Sequence, residues 1–196
     1  PNQQEDYKLE YENPNDSQYL HLQTEIIQFR DCKGLKIKCK GNCLQKNVEI
    51  LLQHRFPSQH PLFSSVFFPA YKQVFSNLQS LDFQIDSSQS MLIISHKLFV
   101  STLSEFVEEK TQNGINIHLL VAESNSSTED IQDLITETYH AFKPDYVLFI
   151  GDYEHIPSYR MDEGLSDAHY TFIDGDDYFP EMIIGRISVQ SVNDLQ

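Results

Sequence analysis

The sequence predicts an α/β protein in which a small β-rich unit, residues 1–85, precedes a mainly parallel α/β sheet, residues 86–196. Two observations carry this prediction. Between residues 19 and 50 apolar and polar residues alternate, which is typical of half-buried antiparallel strands. After residue 90 short apolar runs alternate with segments of helical period, and strands that alternate with helices form parallel sheets with right-handed crossovers.

The composition limits the class of protein. With 196 residues, of which 40% are apolar, the chain can bury a substantial core. The formal charge of −15 and the lack of a Lys/Arg cluster exclude nucleic acid as an expected partner. No apolar stretch approaches the roughly 20 residues that span a bilayer, so no membrane span is predicted. Two sequons, at Asn15 and Asn125, favour a secreted, cell-surface or lumenal protein.

The amino-terminal unit is predicted from three segments, YLHLQTEIIQF, GLKIKCK and NVEILLQ, with Gly34 and Gly41–Asn42 between them. The phenylalanine-rich stretch at 55–75 contains three prolines, so we expect it to pack as a connector rather than form long regular elements. Its aromatic residues are expected to fill a core.

Three cysteines, Cys32, Cys39 and Cys43, lie within a dozen residues of one another, and no other cysteine follows. We expect a structural disulfide or buried thiols. The alternative is a zinc site completed by a histidine such as His54, but the cysteine spacing is not that of the usual zinc motifs.

The α/β unit begins with the strand MLIIS at 91–95. The next segment, 96–114, predicts a helix with Leu98 and Leu103 on its buried face and an end at Asn113–Gly114. The strand INIHLLVAE follows. The segment SSTEDIQDLITETYHAF at 126–142 has a Ser/Thr start and acidic residues in its first turn, which predict a second helix. The run YVLFI at 146–150 predicts a buried strand.

Asp152 directly follows that buried strand, at the edge where open α/β sheets place their ligands. We expect Asp152 to accept backbone N–H bonds and, together with Asp167 and Arg186, to organise the loops rather than perform chemistry.

An acidic segment without Lys or Arg lies between Arg160 and Arg186. Its carboxylates around Gly175 suggest a calcium site, because Ca²⁺ takes oxygen ligands from a sharply turning loop. The expected ligands are Asp174, Asp176, Asp177 and Glu181. The alternative is a solvated acidic loop that joins two strands, at 170–173 and 182–187.

Four motifs in order, YVLFIGD with IPSY, SDAHY, DGDDYFPE and IIGRISV, resemble the gingipain-type cysteine peptidases of peptidase family C25. The resemblance covers about residues 90–196 and implies a caspase-like catalytic domain built of two α/β halves. It implies that this chain is the amino-terminal half-domain, that the remainder of the catalytic domain is its partner, and that protein substrates are cleaved there by a Cys-His dyad.

No catalytic residue can be assigned in this chain, because the three cysteines precede the α/β strands and the dyad is expected beyond residue 196. The chain alone is therefore expected to be inactive. Two alternatives stay open: a non-catalytic relative that serves in binding or assembly, and a flavodoxin-like binding domain. The second is disfavoured because no glycine-rich loop follows MLIIS.

Overall fold

The computed structural model describes residues 8–10, 21–40, 51–53, 61–75, 78–80, 82–175 and 177–195. In the amino-terminal part, strand β1 (Lys8–Glu10) pairs antiparallel with β4 (Leu51–Gln53), and β2 (His21–Gln28) pairs antiparallel with β3 (Lys33–Lys40). The predicted antiparallel strands are thus confirmed within the described residues. The β2–β3 hairpin turns at residues 29–32 rather than at Gly34, and Gly41–Asn42 lies outside the described residues.

The phenylalanine-rich connector forms β5 (Leu62–Ser64), α1 (Phe68–Val74) and β6 (Gln84–Asp86), with β5 and β6 parallel. Its aromatic side chains form a buried cluster with the tip of the β2–β3 hairpin, which confirms the prediction that they fill a core. The buried members of this cluster are Ile27, Phe29, Phe63, Phe67, Tyr71 and Leu78. Gly34 is also buried there, and a Cβ at this position would lie 2.5 Å from the Phe75 ring.

The main sheet has four parallel strands. They are β7 (Gln89–His96), β8 (Ile115–Ala122), β9 (Tyr146–Ile150) and, after a short antiparallel hairpin of β10 (Tyr159–Met161) and β11 (Gly164–Ser166), β12 (Ile183–Ile187). The spatial order is β12-β9-β7-β8. All three strands predicted from the apolar runs before residue 151 are confirmed, and the predicted strand at 182–187 is confirmed as β12.

Helices α2 (Ser104–Gln112) and α3 (Thr128–Phe142) cover the two faces of this sheet. The predicted start of α3 is confirmed, because the Ser127 hydroxyl accepts the Asp130 N–H and the Asp130 carboxylate accepts the Ser127 N–H. Buried residues Ile131, Ile135 and Tyr139 of α3 pack on the face that presents Leu92 and Phe149.

The prediction for the start of α2 is wrong. Residues 97–99 form a turn, Val100–Thr102 form a 3₁₀ turn, and α2 begins only at Ser104. The turn places Phe99, which is fully buried, in the core with Leu103, whereas Leu98 is 46% exposed. The predicted end is confirmed, since Gly114 follows the last turn in a left-handed conformation with φ 86°.

The strand predicted at 170–173 is also wrong. Residues Ala168–Thr171 form a 3₁₀ turn, in which the buried Tyr170 packs edge-on against Phe149 and donates its hydroxyl to the Pro157 carbonyl at 2.6 Å. Because β12 pairs in parallel with β9, the acidic segment before it does not close a hairpin.

Candidate functional site

The carboxyl ends of β7 and β9 meet at the centre of the sheet. The chain leaves β7 towards β8 on one side and leaves β9 towards β12 on the other, and open α/β sheets bind ligands at such a switch point. His96 is the last residue of β7, and Asp152 follows β9 after Gly151. The predicted position of Asp152 at the mouth of a buried strand is confirmed.

Asp152 is 3% exposed and orients a histidine. Its Oδ1 accepts the Glu154 N–H at 3.0 Å and lies 2.8 Å from Nδ1 of His155. Burial by itself would raise the pKa of Asp152, but hydrogen bonds from neighbouring side chains and from the Glu154 N–H outweigh it and hold this pKa below its ordinary value. The ionised carboxylate therefore keeps the proton of His155 on Nδ1.

A second histidine, His96, lies beside His155 with 4.8 Å between the ring centroids. Nδ1 of His96 accepts the Leu98 N–H at 3.4 Å, so its Nε2 carries a proton and donates to the Ser124 hydroxyl at 3.0 Å. Because His96 donates to Ser124, it does not activate that serine as a nucleophile. Burial, and then the charge of His155, lowers the pKa of His96, which is therefore neutral at pH 7.

Arg186 of β12 holds the loops around this edge. Its Nε and Nη2 fork onto the two carboxylate oxygens of Asp167, both at 2.7 Å, and Nη2 also reaches the Ser158 hydroxyl at 3.1 Å. Its Nη1 donates to three backbone carbonyls, those of Gly151, Asp152 and Ile156. The predicted organising role of Asp152, Asp167 and Arg186 is confirmed.

The acidic segment predicted to bind calcium lies against the β2–β3 hairpin. Both carboxylate oxygens of Asp177 accept backbone hydrogen bonds, from Gln28 at 3.0 Å and from Phe179 at 2.9 Å. Asp174 is half-buried, and Asp176 lies outside the described residues.

Glu181, the fourth predicted ligand, is fully buried. Its Oε2 accepts the Ile173 N–H at 2.7 Å, whereas Oε1 has no hydrogen-bond partner. Burial raises the pKa of this carboxyl to about 7. Among the described residues no three His, Cys, Asp or Glu side chains are arranged as a metal site. The free oxygen of Glu181 fits a cation ligand, while those of Asp177 are already engaged, so calcium binding stays a prediction.

Arg30, at the tip of the β2–β3 hairpin, was not anticipated from the sequence. It is 7% exposed, forms an ion pair with Asp145 at 3.2 Å and donates to the carbonyls of Lys143, Pro144 and Glu181. These contacts hold the β2–β3 hairpin against the residues that precede β9 in the main sheet and against the end of the acidic segment. A single arginine in a hairpin gives no sequence signal for partners more than a hundred residues away.

The one cysteine whose side chain the structure describes, Cys32, is neither placed nor ionised for nucleophilic catalysis. The Cys32 thiol is free and packs in the aromatic cluster of the amino-terminal unit. Burial, and then the charge of Asp31, raises the pKa of Cys32 to about 12, so the thiol stays protonated. The side chains of Cys39, Cys43 and His54 lie outside the described part, which leaves the disulfide and zinc predictions open.

The model of peptidase family C25 matches residues 84–196. Gingipain R2 of Porphyromonas gingivalis is 32% identical over 135 residues, which are 64% of this chain and 18% of the relative. Lys-gingipain of the same organism is 28% identical over 145 residues, which are 68% of this chain and 8% of the relative.

Two solved structures share the fold. The crystal structure of the Arg-specific cysteine proteinase gingipain R is 30% identical, with a TM-score of 0.53 over 56% of this chain and 27% of that one. The complex of Porphyromonas gingivalis RgpB pro- and mature domains is 32% identical, with a TM-score of 0.51 over 54% and 26%. The chain thus spans less than a third of the length of each relative.

Proposed function

We propose, because the chain belongs to peptidase family C25, that it forms the amino-terminal part of a gingipain-like cysteine endopeptidase. In this proposal a second half-domain, on the same or another chain, carries the Cys-His dyad and meets the protein substrates. The proposal rests on the arrangement at the carboxyl ends of the parallel strands. Arg186 and Asp152 hold the loops in place, yet no described cysteine lies there.

The exposed side of β12 supports a scaffolding role for this half-domain. Ile183 and Ile187 are 48% and 36% exposed, and they lie on the same face of the strand. Within the described residues, β12 pairs only with β9, so its outer backbone edge is free to accept another strand. We propose that the second half-domain covers this strand.

The test of the proposal is a peptidase assay with and without the second half-domain. A panel of fluorogenic peptides should give no turnover with this chain alone. Turnover that iodoacetamide abolishes should appear once the chain is joined to, or mixed with, the segment that supplies the dyad. If that combination binds peptides but stays inactive, the chain is instead part of a non-catalytic binding or assembly module.

Calcium binding by the acidic segment is a second part of the proposal. It is supported by the buried, unpartnered Oε1 of Glu181 and by the density of carboxylates from Asp174 to Glu181. When bound, calcium would neutralise these carboxylates and hold the segment that leads into β12. At a hundredfold excess over its dissociation constant, a cation that binds only the folded state stabilises it by about 2.7 kcal/mol.

The calcium proposal is tested by melting curves in calcium and in chelator. Calcium should raise the melting temperature of the parent and of Asp162→Ala, which removes an exposed carboxylate elsewhere. Asp174→Ala and Asp176→Ala should reduce the rise. An equal response in all four proteins would leave the segment as a solvated acidic loop.

We also propose a secreted, cell-surface or lumenal location, supported by the two sequons. Among the described residues no helix is long and apolar enough to span a membrane.

A further inference from the structure

The turn that follows β7, residues 97–103, is held in place mainly by local contacts. Its backbone hydrogen bonds reach acceptors only within residues 96–100, and their donors are Leu98, Phe99, Thr102 and Leu103. Phe99 is fully buried and anchors the turn in the core. Segments with few long-range hydrogen bonds open at a lower free energy than the sheet from which they extend. This turn is therefore a part of the fold that a small change can open.

His96, the last residue of β7, connects this turn to the turn after β9. It is 7% exposed, and its ring centre lies 6.1 Å from that of Phe99 and 4.8 Å from that of His155. Phe99 and His155 also contact each other edge-on, with 5.1 Å between their centroids. The three rings form one cluster, so a change at His96 acts on both turns.

Both ring nitrogens of His96 are engaged, and this decides where a further proton can bind. Nε2 already carries a proton, which it donates to the Ser124 hydroxyl at 3.0 Å, and Nδ1 accepts the Leu98 N–H at 3.4 Å. A second proton can therefore bind only at Nδ1. It would convert this nitrogen from an acceptor into a donor that faces the Leu98 N–H. Protonation of His96 is thus incompatible with the first hydrogen bond of the turn.

The charged groups around His96 do not compensate an imidazolium at this position. Glu123 is already paired with Lys97 at 3.6 Å, and Asp152 is engaged with Nδ1 of His155 at 2.8 Å. A buried charge without a partner is costly. Burial, and then the charges of His155 and Lys97, lower the pKa of His96 and outweigh the opposite effect of Glu123.

We propose that His96 is a pH switch: in mildly acidic solution its protonation at Nδ1 shifts residues 97–103 towards an open state, while the main sheet stays folded. In the open state the ring is hydrated and the Leu98 N–H bonds to water. Because the pKa of His96 is lower in the closed state than in the hydrated one, protons favour opening. The closed turn is therefore retained above the ordinary histidine pKa of 6.5 and lost progressively below it.

Hydrogen exchange of the full chain, followed by NMR at single amides, tests the inference. Protection factors are compared, because they correct for the intrinsic pH dependence of exchange. Between about pH 7.5 and about pH 5.5 they should fall at least about threefold at the four donor amides of the turn and stay unchanged in β9. In the same samples the His96 ring should gain its proton at Nδ1, over the pH range in which protection is lost.

Two variants separate His96 from the other histidines. His96→Asn places an amide oxygen near the position of Nδ1 that accepts the Leu98 N–H but does not titrate, so protection of the turn should be equal at both pH values. His118→Asn removes a histidine of β8 that stacks on Phe142, and it should keep the loss seen in the parent. Far-UV circular dichroism shows whether both variants are folded.

Three results would overturn the inference. The first is a parent protein in which protection of residues 97–103 does not fall with pH, and the second is a His96 ring that takes up its proton without that fall. Both are read from the parent alone and do not depend on the folding of a variant. The third is a loss of protection that persists in His96→Asn or disappears in His118→Asn.

Discussion

Arg186 is the residue whose removal should disturb the carboxyl edge most. Its guanidinium makes six hydrogen bonds, two of them to the Asp167 carboxylate, and stacks 4.8 Å from the centre of the Phe149 ring. The side chains of Arg186 and Asp167 are only 12% and 20% exposed. Arg186→Ala would remove both arginine donors from a mostly buried carboxylate, which keeps only the Ser158 hydroxyl, and would remove one donor from each of three carbonyls. Breaking a buried pair in this way costs about 3–5 kcal/mol.

Because the chain has no tryptophan, urea unfolding is best followed by far-UV circular dichroism. Arg186→Lys keeps the charge but loses the fork, so it should recover only part of the loss. The matched control is Arg160→Ala, since Arg160 is exposed in β10, and it should change the free energy of unfolding by less than about 0.5 kcal/mol. If Arg186→Ala is within about 1 kcal/mol of the parent, the arginine does not organise these loops.

Three smaller perturbations test other contacts. Burial alone would raise the pKa of Asp167. The hydrogen bonds that its carboxylate accepts from Arg186 and Ser158 outweigh burial and lower this pKa. The stability that this shift contributes is present above the unfolded pKa of about 4 and is lost as the pH falls through the lower folded pKa. The free energy of unfolding, measured in urea, should therefore fall less steeply with acid pH in Asp167→Asn than in the parent. Ser127→Ala should cost about 1 kcal/mol by removing the cap of α3, while Thr128→Ala should cost less than about 0.5 kcal/mol; equal losses would rule out the cap. Gly151 has φ 130°, and a Cβ added there would lie 3.0 Å from the His155 Cβ, so Gly151→Ala should lower the melting temperature. Gly185→Ala should not, because its Cβ would lie 3.9 Å from the nearest atom, in Leu148. An unchanged melting temperature in Gly151→Ala would contradict the strained turn.

The parallel strands and α3 could be predicted because their signals are local. Apolar runs at 91–95 and 146–150 are too short for helices, and Ser127 with Asp130 forms its capping box within four residues. The predicted start of α2 failed because the burial of Phe99 is a tertiary effect that periodicity does not reveal.

The environment of the acidic segment could not be predicted for the same reason. Asp177 accepts a hydrogen bond from Gln28, which is 149 residues earlier, and Arg30 reaches the carbonyl of Glu181. The sequence showed only that the carboxylates lack a nearby cation. It could not show that Glu181 would be buried or that a hairpin from the amino-terminal unit would supply donors. Whether residues 1–85 form a separate unit stays a prediction, although the family match begins at residue 84.

The most direct test of the scaffold proposal is to locate the reactive thiol with a peptide-based, thiol-directed affinity label. The labelling is done on this chain alone and on the chain combined with the segment that supplies the second half-domain, and the labelled cysteine is identified by mass spectrometry. We predict that the label, together with peptide turnover, appears only in the combination and on a cysteine outside this chain. Substrate-protected labelling of Cys32, Cys39 or Cys43, accompanied by turnover in this chain alone, would contradict the proposal.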